Sequence, residues 1–247
     1  MCGRYVSPDT AAIERAFHVG RDDNAPFARR FNVLPTTAVA VLLRPRESSA
    51  AHLAQARWGL IPHWWKDEKP PKFTFNARLE EAAGKPMWRQ PLRHSRCLVP
   101  AEGWYEWRAI ESADPRSGKP KIIKQPHYIR RADSAPFCFA GLLSFWTPRE
   151  GGEPQLSCSI LTRAATGPVA DVHDRMPVVL DDAACANWLD PLLVDAHRVT
   201  EFIGAHALSS EFSHFEVSTL VNSSRAEGAQ LIEPLAAGFA APQGKVE

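Results

Sequence analysis

The sequence predicts one α+β domain built on a largely antiparallel, barrel-like mixed sheet flanked by helices. Three observations point there. Apolar segments of strand length outnumber segments with helical periodicity. Strands and helices do not alternate in the regular order that a parallel α/β sheet requires. The chain has 247 residues, 45% of them hydrophobic, which suffices for a single large core. The domain is expected over residues 1–235, with 236–247, rich in Ala, Gly and Pro, as a loose tail.

Taken in order, Ser7-Pro8-Asp9 followed by Ile13, Ala16 and Phe17 predicts a helix with Ser7 as its cap and Pro8 in its first position. Strands are expected at 38–43, 53–58, 97–107, 127–131, 137–146, 156–161 and 176–180. Helices are expected at 79–83, stopped by Gly84 and Pro86, at 182–189 behind Asp181, and from 193 to about 206.

The net charge of +1 excludes no partner, because a local basic face is enough to hold nucleic acid. Two such stretches exist: 85–96 with Lys85, Arg89, Arg93 and Arg96, and 116–131 with Arg116, Lys119, Lys121, Lys124, Arg130 and Arg131. Either suits a phosphate path, and either suits an ordinary solvated surface. The five cysteines, at positions 2, 97, 138, 158 and 185, are odd in number and form no C-x-x-C pair. That pattern predicts a reducing compartment, no metal site and no cofactor. The longest apolar runs, 38–43 and 137–146, are too short to span a membrane, and the first residues carry no signal-like apolar stretch. A soluble, cytoplasmic monomer with no membrane partner is expected.

Cys2 is the most informative position. Once Met1 is removed, its α-amine and thiol sit on adjacent carbons. The amine adds to an aldehyde to give an imine, and the thiol then closes a five-membered thiazolidine on the imine carbon. An α-amine with a pKa of about 7.7 to 8.0 is also far more often neutral at pH 7 than a lysine at about 10.4. Read by position alone, Cys2 is an ordinary residue at a frayed end.

Motifs elsewhere change that reading: Met1-Cys2-Gly3-Arg4-Tyr5, Trp58-Gly59-Leu60-Ile61-Pro62-His63-Trp64, Asn76-Ala77-Arg78, the run from Arg96 through Pro100-Ala101-Glu102-Gly103-Trp104-Tyr105-Glu106-Trp107, and His173-Asp174-Arg175-Met176-Pro177. With these five, in this order, the chain resembles the SOS response-associated peptidase (SRAP) family from Cys2 to about Leu189. The resemblance implies the fold of that family and a positively charged groove. It further implies a thiazolidine crosslink between the N-terminal cysteine and the ring-opened abasic site of single-stranded DNA, a lyase-type DNA-processing chemistry acting at the nucleoid during the damage response. A proposed peptidase activity, usually discussed as N-terminal self-processing, comes with the family too. By matching motifs, Cys2 is the nucleophile, Asn76 and Arg78 form the Asn-Ala-Arg pair, and Glu106 and His173 are the active-site carboxylate and imidazole. Leu34 before Pro35 and Trp104 depart from the commoner alanine and phenylalanine, which puts only the shape of the groove in doubt.

The residues themselves agree to differing degrees. Glu106 shares a strand face with Trp104, and an apolar wall there would raise its pKa into the range useful for moving protons. His173 suits an assisting role. Arg4, Arg78 and Arg175 are each one residue removed from a chemical residue, as DNA-phosphate clamps would be, or as surface ion-pairing groups would be. Asn76 can hold the N-terminus or a sugar oxygen, or cap a turn. Trp64 and Trp65 suit base stacking or core filling. Thr162 reaches the DNA site from a strand end or is buried. Two other functions are open: a cysteine peptidase using the same Cys2, Glu106 and His173, and a noncovalent single-strand binder that needs the basic and aromatic groove but not Cys2.

Overall fold

The computed structural model describes residues 2–19, 26–45, 48, 50–114, 119–149 and 151–235. Strand β1 (Tyr5–Ser7) leads into helix α1 (Thr10–Phe17), followed by β2 (Arg30–Val33), β3 (Ala38–Leu43) and β4 (His52–Trp58). Then come β5 (Asn76–Arg78), α2 (Leu79–Ala82), α3 (Pro86–His94), β6 (Arg96–Ala101), β7 (Gly103–Ala113), β8 (Pro120–Arg131), β9 (Phe137–Trp146) and β10 (Gln155–Ala164). Two short strands, β11 (Arg175–Pro177) and β12 (Val179–Leu180), precede α4 (Ala184–Trp188), α5 (Ala196–His206) and β13 (Phe212–Glu216).

Five strands close on themselves. β10, β4, β3, β6 and β9 pair in that order, and β9 pairs back onto β10. The β4–β10 contact is parallel and the rest are antiparallel, so the ring is the mixed, largely antiparallel barrel the sequence predicts. β5 and β11 continue β10 beyond the ring, and β12 adds to β9. The second sheet is open and antiparallel, in the order β13-β8-β7-β1-β2. Together with the flanking helices this is one α+β domain.

Aromatic side chains join the two sheets. Tyr5 of β1 meets Trp58 and Phe139 edge-on, with centroids 5.2 and 5.7 Å apart, and Trp104 of β7 packs in the same manner on Phe137, Phe139 and Phe212. All but Phe212 have at most 1% of their surface exposed, and burial of each such side chain is worth about 1.5–3 kcal/mol.

Several expectations are corrected. Helix α1 begins at Thr10 because Asp9, not Ser7, caps it: the Asp9 carboxylate accepts the Ala12 N–H at 2.8 Å, and Ser7 ends β1. Pro86 does not stop a helix but opens α3, where a missing N–H costs nothing. The expected strand 97–107 is two strands, parted at Glu102, whose N–H donates to Val6 O at 2.9 Å and whose carboxylate pairs with Arg29. The segment 176–180 parts at Val178, whose N–H turns to Leu161 O at 2.8 Å. Strand 127–131 starts earlier, at Pro120. Asp181 accepts the Ala184 N–H at 2.7 Å, but α4 is the shorter Ala184–Trp188 with Ala183, not Asp181, at its N-cap; α5 starts at Ala196 because Asp195 accepts the Arg198 N–H at 3.0 Å. Arg96 is no part of a phosphate path: it is buried and donates to the carbonyls of Leu92, Arg93, Trp188 and Asp190. The expected tail 236–247 and Arg116 lie outside the described residues. Among the described residues no helix is long and apolar enough to cross a membrane, and no group of three or more His, Cys, Asp or Glu could hold a metal ion.

Candidate active site

The site forms where the two sheets meet. Tyr5 lies opposite Trp104, and the Tyr105 N–H donates to Arg4 O at 3.0 Å, so the residues before Tyr5 run alongside Glu106. Cys2 is fully buried there. Asn76, the first residue of β5, is held opposite Ile160 of β10 and donates its Nδ2–H to Cys2 O at 2.7 Å. The barrel thereby grips the start of the other sheet. Asn76 Oδ1 is buried with no hydrogen-bond partner among the described residues, which leaves an acceptor close to the Cys2 backbone.

Glu106 projects from β7 on the Trp104 face and is 2% exposed. Burial is the main reason its carboxyl pKa is pushed up to about 7. His173 sits in the loop before β11, its Nε2 3.8 Å from Glu106 Oε2, within ion-pair reach but beyond hydrogen-bond length. His173 Nδ1 faces two groups that ask for opposite tautomers: the Arg175 N–H at 2.9 Å and Asp174 Oδ1 at 2.9 Å. The Asp174 side chain is 86% exposed and free to turn to water, whereas the backbone N–H is fixed. Burial also holds the ring's pKa below its ordinary value. Both facts favour a neutral ring that accepts at Nδ1 and carries its proton on Nε2, toward Glu106.

The Cys2 thiol has its pKa raised well above the usual range, first by burial and then by the Glu106 charge. It is therefore a thiol, not a thiolate, at neutral pH. A cleft of about 680 Å³ opens over Glu106 and His173, with Trp107, Ala109, Lys124, Val172, Asp174 and Asn222 completing its walls. Cys2 is not part of those walls.

The remaining expected residues fall in different places. Arg4 is half-buried and gives three hydrogen bonds, to Asn32 Oδ1 and the carbonyls of Val221 and Asn222. Arg175 grips both Glu80 oxygens at 2.7 and 2.9 Å and also donates to Thr162 O at 2.9 Å. Arg78 is exposed and leans on Glu81 at 3.4 Å. Thr162 is fully buried against Ala77 O and Arg175, which is the second of the two placements the sequence allows. Trp64 and Trp65 stand on the β4–β5 connection, outside the cleft walls, with ring centroids 6.1 Å apart. Trp64 is 44% exposed, while Trp65 is tied through its carbonyl to Trp146 Nε1 at 2.9 Å. Sequence reasoning missed Asn222, which no motif marks, and left Lys124 as one member of a basic run.

The comparisons with known proteins agree with one another. Residues 1–224 match the family described as SOS response associated peptidase (SRAP). The abasic site processing protein YoqW of Bacillus subtilis is 33% identical over 235 residues, covering 94% of this chain and 99% of that protein. The abasic site processing protein YedK of Escherichia coli is 34% identical over 242 residues, covering 95% of this chain and all of that one. A crystal structure of a protein from Bacteroides thetaiotaomicron matches in fold with a TM-score of 0.74 at 22% identity, over 95% of this chain and 100% of that one. With the family match and both relatives spanning nearly the whole chain, the protein belongs to the SOS response associated peptidase family.

Proposed function

We propose that this protein processes abasic sites in single-stranded DNA by capturing the ring-opened sugar covalently on Cys2 after removal of Met1. The observation that carries the proposal is the convergence of Cys2, Asn76 and Glu106 at one seam, with His173 3.8 Å from Glu106. The relatives named above as abasic site processing proteins support the substrate class.

Glu106, with a pKa near 7, delivers a proton to the sugar ring oxygen and recovers one from the anomeric hydroxyl, which exposes the aldehyde. The Cys2 amine adds to that carbon, and the carbinolamine loses one water to become an imine. The thiol then adds across the imine, its sulfur to carbon and its proton, relayed by Glu106, to nitrogen, and the ring closes. A buried, protonated thiol suits this order, because it cannot compete with the amine for the aldehyde in the first step. Asn76 holds the Cys2 carbonyl, so amine and thiol meet the aldehyde from a fixed position. All of these groups come from one chain, and a monomer suffices.

A cysteine peptidase needs the reverse arrangement, a thiolate stabilised by an adjacent imidazolium. The raised thiol pKa and the lowered pKa of His173 both speak against it.

The test is denaturing electrophoresis after incubation with a single strand carrying one abasic site, beside intact single-stranded and duplex DNA. A slow band that requires the abasic site and disappears with Cys2→Ala supports capture; repeated peptide cleavage without such a band favours the peptidase. Cys2→Ser keeps the amine but slows ring closure, so the imine should instead drive β-elimination and strand scission. No cleavage product from that variant would count against the imine route.

A further inference from the structure

The cations around the site differ in what they already hold. Arg175 is bidentate on Glu80, Arg78 leans on Glu81, and Arg4 is spent on Asn32 and two carbonyls. Lys124 is different. It is exposed, it lines the cleft over Glu106 and His173, and it enters no ion pair among the described residues. Apart from His173, whose ring is neutral, it is the cationic side chain among the residues that form those walls.

Its placement follows from the β7–β8 register. Lys124 lies opposite Ala109, which has nothing beyond Cβ, so the lysine stem can extend across it along the cleft. Ala109 is three residues beyond Glu106, about 10 Å along β7 and on the opposite face by strand alternation, and the cleft at this edge is lined by both residues and by Lys124. The opposing acids are weak competitors: Glu106 is largely protonated up to about pH 7, and Asp174 is exposed to solvent. Burial is the largest cause of the lowered His173 pKa, and Lys124 adds the smallest.

We infer that Lys124 holds the phosphodiester flanking the captured sugar and is the phosphate anchor of the cleft. The inference rests on the proposed DNA substrate and names the contact by which the strand is seated. Because the anchor touches a phosphate and not the aldehyde, it acts on strand binding and leaves the chemistry of a phosphate-free sugar untouched.

The test compares the unaltered protein with Lys124→Ala and Lys124→Arg in two assays. The first measures affinity for a single strand carrying tetrahydrofuran in place of the abasic sugar, which has no aldehyde, over a range of salt. Loss of one phosphate contact on a single strand lowers the salt slope by about 0.7, which corresponds to roughly fivefold weaker binding at 0.1 M salt. Lys124→Ala should show both changes, and Lys124→Arg should bind as the unaltered protein does. The second assay measures capture of free 2-deoxyribose by intact mass, which Lys124→Ala should leave unchanged. Unaltered affinity and slope in Lys124→Ala would overturn the assignment. So would a matching loss of 2-deoxyribose capture, which would put Lys124 in the chemistry. If the unaltered protein captured no sugar at all, the Cys2 mechanism would fail, while the tetrahydrofuran strand would still decide the role of Lys124.

Discussion

The barrel and the β7–β8 arm are both sheet, but one is closed and the other open. In the barrel β9 returns to β10, every strand has two neighbours, and the interior is filled with side chains such as Trp58 and Phe139. Strand β7 loses its β1 neighbour after Tyr105 and β8 loses β13 at His127, and beyond Glu106 β7 and β8 continue as a two-stranded arm whose Ile122 is 70% exposed. Closure holds Asn76, and through it Cys2, in one place, while the sheet bearing Glu106 is open at its edge. A site at their boundary suits the proposed reaction, which needs a rigid nucleophile and an accessible substrate.

The comparison can be broken most forcefully from the barrel side. Trp58→Ala removes a fully buried indole and should cost about 3–5 kcal/mol in urea unfolding. A loss below 1 kcal/mol would mean that the barrel does not carry the fold.

At the boundary, Glu106→Gln should slow crosslinking roughly 100-fold and remove its pH dependence near neutrality. It should also change stability in a defined direction. The folded carboxyl keeps its proton up to about pH 7, against an ordinary value of 4.5, so the folded state binds more protons than the unfolded one between these values. Stability of the unaltered protein therefore falls as pH rises through that window, by up to roughly 3 kcal/mol, and Glu106→Gln should lack this decline. Denaturant titrations of the two proteins at pH 5 and pH 8 measure it directly, and parallel curves would refute a buried carboxyl.

A smaller effect is expected where β11 is tied to α2. Arg175→Ala leaves Glu80 without its partner and should cost about 1–2 kcal/mol, with a loss of crosslinking through displacement of the neighbouring His173. Thermal unfolding and crosslinking rate check the two parts. The smallest change belongs to the open arm. Ile122→Ser should stay within about 0.5 kcal/mol of the unaltered protein, and a larger loss would show that the arm packs against something in solution.

Parts of this architecture are legible in the sequence for physical reasons. β3 and β9 coincide with the expected 38–43 and 137–146 because both are uninterrupted apolar runs, buried on both faces. The start of α1 was not legible, since Ser7-Pro8-Asp9 offers two competent caps, and pairing of β1 with β7 decides between them. Helix α3 was hidden by reading Pro86 as a stop, although proline is as much at home in a first turn. Strands β1 and β5 have three residues each and owe their existence to partners far along the chain. The chemical residues stood out as motifs, and strand alternation placed Glu106 on an apolar face. What each arginine holds was not visible, because Glu80, Asn32 and the carbonyls of Val221 and Asn222 become neighbours only through tertiary pairing. Lys124 gave no signal that separates it from the lysines around it until the register set it opposite Ala109 over the cleft.

The most direct test of the account is intact mass measurement after incubation with an abasic single-stranded oligonucleotide, followed by peptide mapping. The account predicts a single species with the mass of the protein lacking Met1, plus the oligonucleotide, minus one water, and with the adduct confined to the peptide that begins at Cys2. An adduct on a lysine, or no adduct from protein whose mass confirms an N-terminal Cys2, would contradict it.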